Sequence, residues 1–264
     1  MRRAVLFALF LVSGSACRRE EPPAETPVPE LEPSVAETPA PAPEGSRSVN
    51  GRVRIEGTPP PHVRREVNAD PELCGSDPVV DREMLVDPVT KGVRYAVVTL
   101  TNDTAGHAAP APVTRTVEQA RCEYFPYVTV VPPGSRVVVT NADDGLHDVH
   151  VMPEGGGLPD ANHSLRADAR VELTFPEPGH VLLGCDLHYW ARAWVIVDRA
   201  PFSAVTDADG RYAFEGVPPG EWRLTVWHER LGTSVREISV RESGSATLED
   251  VALPPPAPSR PPRP

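Results

Sequence analysis

From Val49 onward, short apolar–polar alternations recur between proline and glycine turns, and no stretch keeps a helical period. A chain of this kind has few choices but strands. Val49-Asn-Gly-Arg-Val53-Arg-Ile55 alternates as a half-buried strand does, and Tyr95 to Leu100 is a compact β-branched run. Tyr127–Val131, Pro132-Pro-Gly134 and Arg136–Thr140 read as strand, turn, strand, and His147–Met152 as a further strand. Arg170–Phe175, Pro176-Glu-Pro-Gly179 and His180–Leu183 repeat that pattern, and Trp194–Val197 closes the series. Between them, Thr101 to Arg121 is rich in Ala, Pro and Thr and is expected to be a surface loop. A second run of turns and alternations, about Pro201 to Leu253, reads as a small sandwich of its own. The expected class is therefore all-β, one sandwich followed by a smaller one.

The two ends differ from this middle. Many of the 33 prolines cluster there. Arg18 to about Arg47 is Pro, Glu, Ala and Thr with almost no large apolar residue, too little to offset ordering entropy, so it is expected to be a disordered, extended tether. Pro254 to Pro264 is expected to be a loose tail. Before the tether, Met1-Arg2-Arg3, an apolar run Ala4–Val12 and the small residues Ser-Gly-Ser-Ala lead to Cys17. A run of about nine residues is too short for a bilayer that needs ~20. It reads as a secretory signal, and Cys17 after small residues resembles a lipoprotein acylation site, although Gly14 stands where Leu is usual. The expectation is an exported lipoprotein held to a membrane by its N-terminal lipid, facing the periplasm or lying at the outer membrane or cell surface. A net charge of −11, with Lys91 the sole lysine and no basic cluster, argues against a nucleic-acid partner.

Three segments carry chemistry: Asn141-Ala-Asp-Asp-Gly-Leu-His147, Pro178-Gly179 through Cys185, and Cys185-Asp-Leu-His188. One loop offers a thiolate and an imidazole, and a distant strand end offers a second imidazole. Two nitrogens and one sulfur suit mononuclear copper, thiolate holding Cu(I) and imidazole holding Cu(II). Zinc would need a fourth ligand, for which His150 is the nearby candidate. A Cys185 nucleophile with His188 as base has poor geometry two residues apart on a tight loop. No serine-nucleophile motif, phosphate loop or recognisable carboxylate pair is present, so no enzymatic activity is expected.

Asn-x-Asp-x-x-x-His, then Pro-Gly and Cys-x-x-His some forty residues on, resembles the plastocyanin–azurin group of cupredoxins, and more narrowly the exported bacterial cupredoxin-like proteins carrying a carboxypeptidase-regulatory-like module. The resemblance spans about Val49 to Leu253. It implies a cupredoxin-type Greek-key sandwich over residues 49–199 with His147, Cys185 and His188 as copper ligands, and an electron-transfer role with an unidentified redox partner. The signal would then occupy residues 1–17, the tether 18–48 and the tail 254–264. Asn141 and His150 are expected just outside the ligands. One departure matters: the family's axial methionine, three residues after the second histidine, is Ala191 here. The site would be three-coordinate or take water or a backbone oxygen, with Met152 and Met84 as possible substitutes. Two other readings remain open, a copper-binding or delivery lipoprotein that does not cycle, and a surface scaffold or adhesion module with a vestigial metal loop.

If Cys17 carries lipid, three cysteines remain. In an oxidising compartment the simplest use of Cys74 and Cys122 is to pair with each other, closing a loop worth ~4 kcal/mol in the chain-entropy model. Cys185 is then the thiol without another role. Thr206-Asp-Ala-Asp-Gly-Arg-Tyr-Ala-Phe214, Val217-Pro-Pro-Gly220 and Leu224–Glu229 resemble the carboxypeptidase-regulatory-like fold, expected over residues 200–253, without peptidase residues. Asp207 and Asp209 alternate as calcium ligands can, but lack the downstream bidentate Glu and are read as a solvated turn. His62, His107, His163 and His180 are read as surface histidines.

Overall fold

A computed structural model of the protein describes residues 47–102, 110–154, 160–241 and 247–256. The expected signal, its Cys17 and nearly all of the tether lie outside the described residues, as does His107. The strands in chain order are β1 (Arg47–Ile55), β2 (Arg64–Arg65), β3 (Val79–Val80), β4 (Val97–Thr101), β5 (Thr114–Ala120), β6 (Glu123–Phe125) and β7 (Val128–Val131). There follow β8 (Ser135–Asn141), β9 (His147–Glu154), β10 (Ala161–Leu165), β11 (Arg170–Phe175), β12 (Gly179–Gly184) and β13 (Arg192–Val197). The last are β14 (Phe202–Val205), β15 (Arg211–Val217), β16 (Gly220–His228), β17 (Gly232–Val240), β18 (Thr247–Leu248) and β19 (Val251–Leu253). The one helix among the described residues is a single turn, α1 (Pro71–Cys74). The all-β class holds.

The strands form two sandwiches, and one is nested inside the other. The inner sandwich packs the sheet β10-β9-β12-β13-β7 on the sheet β11-β8-β5-β6. Its core is Val117, Tyr124, Val137, Val139, Val149, Leu183, Val195 and their neighbours, all buried. The outer sandwich packs β1, flanked by β15, β18 and β19, against the sheet β14-β4-β16-β17. Val49, Val53, Val98 and Leu100 share its core with Phe214, Trp222, Leu224 and Val226. At ~1.5–3 kcal/mol for each large side chain taken out of water, these residues tie residues 47–101 to the C-terminal segment.

The boundary expected at residues 199/200 is thus not where the sheets divide. β1 pairs with β15, β18 and β19, and β4 lies between β14 and β16. Both strands belong to the outer sandwich, so the inner one is an insertion between β4 and β14. Backbone contact fixes the arrangement: Val53 N–H donates to Gly210 O (2.8 Å), and Val93 N–H to Val53 O (2.9 Å). Gly210 has φ +76°, and a Cβ there would strike Val53 O. Only glycine permits this close approach without strain.

Two further expectations are revised. Arg47 and Ser48, assigned to the tether, open β1. The expected loop from Thr101 to Arg121 contains β5, which runs parallel to β8 from Thr114↔Arg136 to Gln119↔Asn141. Its inward positions are Val117 and Gln119, and with a single apolar residue pointing inward it carries no alternation to read. Conversely, β13 is buried at nearly every position. Ala193, Val195 and Val197 face the inner core, while Trp194 and Ile196 face a seam shared with Val97, Tyr127 and Trp227. A strand covered on both faces needs a continuous apolar run.

Candidate metal centre

His147 begins β9, and Cys185 and His188 lie on the loop from β12 to β13. Register brings them together: β12 pairs antiparallel with β9, Gly184 opposite His150, so Cys185 follows at the end of the sheet where β9 starts. Alternation turns His147 inward with Val149 and Val151. Both imidazoles are fully buried and Cys185 is 4% exposed.

Three atoms converge. His147 Nδ1 and His188 Nδ1 are 3.0 Å apart, and Cys185 Sγ lies 3.9 Å from the first and 3.6 Å from the second. The point equidistant from all three is about 2.1 Å from each, within the ~2.0–2.3 Å at which imidazole nitrogen and thiolate sulfur hold a metal ion. The residues present therefore fit a small, borderline-soft metal ion in a trigonal N₂S set.

The far side of each ring supports the same orientation. His147 Nε2–H donates to Asp143 Oδ2 (2.9 Å), and His188 Nε2–H donates to Asp70 Oδ2 (3.0 Å). A carboxylate accepting from Nε2–H orients each ring so that Nδ1 faces the centre. Asp143 is itself held: its carboxylate accepts the N–H of Arg121 (2.6 Å) and of Cys122 (2.8 Å). Those two residues sit in the left-handed backbone region at φ +53° and +55°. The Cys185 sulfur accepts the N–H of Asp148 (3.4 Å). Burial pushes the Cys185 thiol up, but hydrogen bonds from the two imidazoles and from the Asp148 and Leu187 backbone outweigh it and bring the thiol down to about 6. For His188, burial disfavours charge, but the Cys185 sulfur and Asp70 outweigh this and raise it.

The other expected residues are placed as follows. Asn141 Nδ2–H donates to Gly145 O (2.8 Å) and Leu165 O (3.1 Å), and its Oδ1 accepts Asp143 N–H (2.9 Å). It shapes the loop that presents Asp143 and His147. His150 does not adjoin the ligand rings. It points to the opposite face of β9, where Nδ1 meets Asp186 (2.8 Å) and Nε2 meets Asp160 (2.9 Å), which also removes it as a fourth ligand. Ala191 is buried in the inner core and offers no donor atom. Met152 shares the outward face of β9 with His150, and Met84 packs against the outer core, so neither replaces the missing thioether. Cys74 and Cys122 form a disulfide. Asp207 Oδ1 accepts the N–H of Asp209 and of Arg211, as a turn residue does.

Sequence reasoning missed two residues. Asp143 stood inside the motif Asn141-Ala-Asp143, and its alternation with Asn141 was the available signal. Asp70 gave none, because it arrives on the connection from β1 to β4, more than a hundred residues from His188.

Residues 190–254 match the family model of the carboxypeptidase regulatory-like domain. The C-terminal part of the chain is a carboxypeptidase regulatory-like module. The match begins within the inner sandwich, just before β13, and leaves out β1 and β4. A comparison with curated proteins finds no match. Among the solved structures that the chain resembles are a cupredoxin, an amicyanin and a copper-containing nitrite reductase. A purple cupredoxin from Nitrosopumilus maritimus is 23% identical over 32% of this chain and 99% of its own, with a TM-score of 0.28. Amicyanin from Paracoccus versutus is 24% identical over 38% and 97%, with a TM-score of 0.29. A copper-containing nitrite reductase from Thermus scotoductus is 25% identical over 37% of this chain, with a TM-score of 0.29. That match spans a quarter of the reductase.

Proposed function

We propose that this protein is a non-enzymatic copper-binding electron-transfer protein, exported and tethered to a membrane through a lipid on Cys17. The observation that carries the reading is the buried triangle of His147 Nδ1, His188 Nδ1 and Cys185 Sγ, each atom oriented by a hydrogen-bonded neighbour. Copper bound there would supply one-electron exchange between Cu(I) and Cu(II). The protein's part is to keep one geometry for both states. Burial excludes water, the pairing of β9 with β12 fixes the spacing of His147 and Cys185, and the Asp148 N–H steadies the sulfur as charge changes. The thiol's descent to about 6 means that it is ionised at neutral pH and ready to ligate. Ala191, where the resemblance expects a methionine, offers no thioether, and copper held without one would have a high reduction potential.

Copper-loaded protein is expected to show an intense thiolate-to-copper band in the visible, absent in Cys185→Ala. Protein that takes up no copper, or takes it up without that band, overturns the reading. A second reading, copper storage or delivery without cycling, is favoured by the same Ala191. Voltammetry separates the two, because a carrier exchanges electrons rapidly and reversibly.

A further inference from the structure

We propose that the Cys74–Cys122 disulfide is a latch, openable by a dithiol reductant, that holds Asp70 on His188 and thereby controls the metal centre. The inference rests on the copper reading above and adds a regulator to that site.

The disulfide adjoins the ligands. Its two sulfurs lie within 4.8 Å of a ring nitrogen of His188, and the Cys122 sulfur is as close to His147 and Asp143. It also joins the two carboxylates that orient the rings. On one side, Leu73 N–H and Cys74 N–H both donate to Asp70 O (2.9 and 2.8 Å), so Asp70 and Cys74 form one hydrogen-bonded turn. On the other side, Cys122 N–H donates to the Asp143 carboxylate, which accepts from His147. A continuous path thus runs from His188 through Asp70, the disulfide and Asp143 to His147.

Besides the disulfide, the turn that carries Asp70 is held by Leu73, half-buried against Gly145. No residue of α1 is buried, and the Asp70 side chain is 59% exposed. An exposed carboxylate on a loose loop gains little from one hydrogen bond. Tied by a disulfide four residues away, it is kept at high effective concentration beside the ring. The neighbouring parts of the connection have their own anchors, Tyr189 O–H on Glu66 O and Arg82 on Tyr124 O and Glu123. Opening is therefore confined to the turn that carries Asp70.

The chemistry balances with a dithiol. Its thiolate attacks the Cys74 sulfur, the more accessible of the two because Cys122 is fully buried. The sulfur–sulfur bond breaks, Cys122 leaves as a thiolate and takes a proton, and the second reductant thiol resolves the mixed disulfide. Two protein thiols and one oxidised reductant result.

The test compares wild type, Cys74→Ala/Cys122→Ala, Asp70→Asn and the triple variant, as full chains. Loss of an outer partner of a ligating imidazole weakens metal binding about 10- to 100-fold. That loss is expected in the double variant and in Asp70→Asn, with no further loss in the triple, because both act through one contact. In metal-free protein, the His188 Nε2–H resonance should exchange slowly in wild type and rapidly in each variant. Dithiol treatment of folded wild type, then alkylation, should label both cysteines and give the same change. Unchanged affinity in the double variant, losses that multiply in the triple, or a disulfide that resists dithiol until the protein unfolds overturns the proposal. Wild type that binds no copper instead sinks the function proposed above, and the metal-free resonance and labelling still decide the latch.

Discussion

His228 should make the outer sandwich acid-sensitive, by an amount the structure allows to be worked out. The ring ends β16, fully buried, with Nδ1 accepting Arg230 N–H at 3.2 Å. Burial pushes its pKa down from 6.5 to about 4, against the opposing hydrogen bond to the Arg94 backbone. The folded state therefore takes up this proton less readily than the unfolded chain. Its contribution is complete above the unfolded pKa and is lost as pH falls from about 6.5 toward 4. At 1.36 kcal/mol per pKa unit, linkage gives a loss of about 2 kcal/mol by pH 5 and about 3 kcal/mol by pH 4. Neighbouring Glu229 shifts the opposite way, because burial raises it, and its uptake of a proton stabilises the folded state over part of the same range. Total stability against pH thus mixes the two. The informative quantity is the difference between wild type and His228→Gln, measured by urea unfolding at several pH values. Gln keeps a polar side chain but does not titrate. The difference should grow by about 2 kcal/mol in favour of the variant between pH 8 and pH 5. Parallel pH profiles for the two proteins would refute the assignment.

Two further outcomes follow from the inner sandwich. In metal-free protein, the ultraviolet absorbance of the Cys185 thiolate should persist at neutral pH and disappear as pH falls through about 6; a midpoint near an ordinary thiol would show that the imidazoles do not stabilise the anion. Gln119 is fully buried with neither amide atom hydrogen-bonded, so Gln119→Leu should stabilise the metal-free protein by about 1–3 kcal/mol, the cost of leaving such a group unsatisfied, and chemical unfolding showing a loss instead would mean the amide has a partner.

The convergence of His147, Cys185 and His188 was legible because its signal is local. Cys185 and His188 share one loop, and His147 follows a strand whose alternation ends at Asn141. The pairing of Cys74 with Cys122 followed from the expected export and from cysteine arithmetic. Element positions were legible wherever one face is buried and the other wet, as in β8 and β16. The division between sandwiches was not. Val49–Ile55 and Tyr95–Leu100 announce strands, but alternation says nothing about which sheet a strand joins. That is settled by β15 and β19 meeting β1 across about 160 and 200 residues of chain, where backbone hydrogen bonds carry no sequence label.

The nesting explains why the outer sandwich bears on the candidate metal centre at all. Had the two modules followed one another, the connection from β1 to β4 would have belonged to the inner sandwich alone. Because β1 and β4 are strands of the outer one, the chain leaves that module at Ile55, passes His188 with Asp70, and returns to the outer core by Val86 and Val93 ahead of β4. Arg192, next to the ligand loop, pairs with Glu83 of the same connection and lies 3.7 Å from Glu229 at the end of β16. The Tyr127 hydroxyl donates to that Glu229 at 2.5 Å. Residues of both modules therefore form one ion-pair and hydrogen-bond group within reach of Trp190, whose ring is 5.3 Å from that of His188. The regulatory-like module is joined in this way to the surroundings of the candidate metal centre, and substitutions at Glu83 or Glu229 should be read first as changes to that contact.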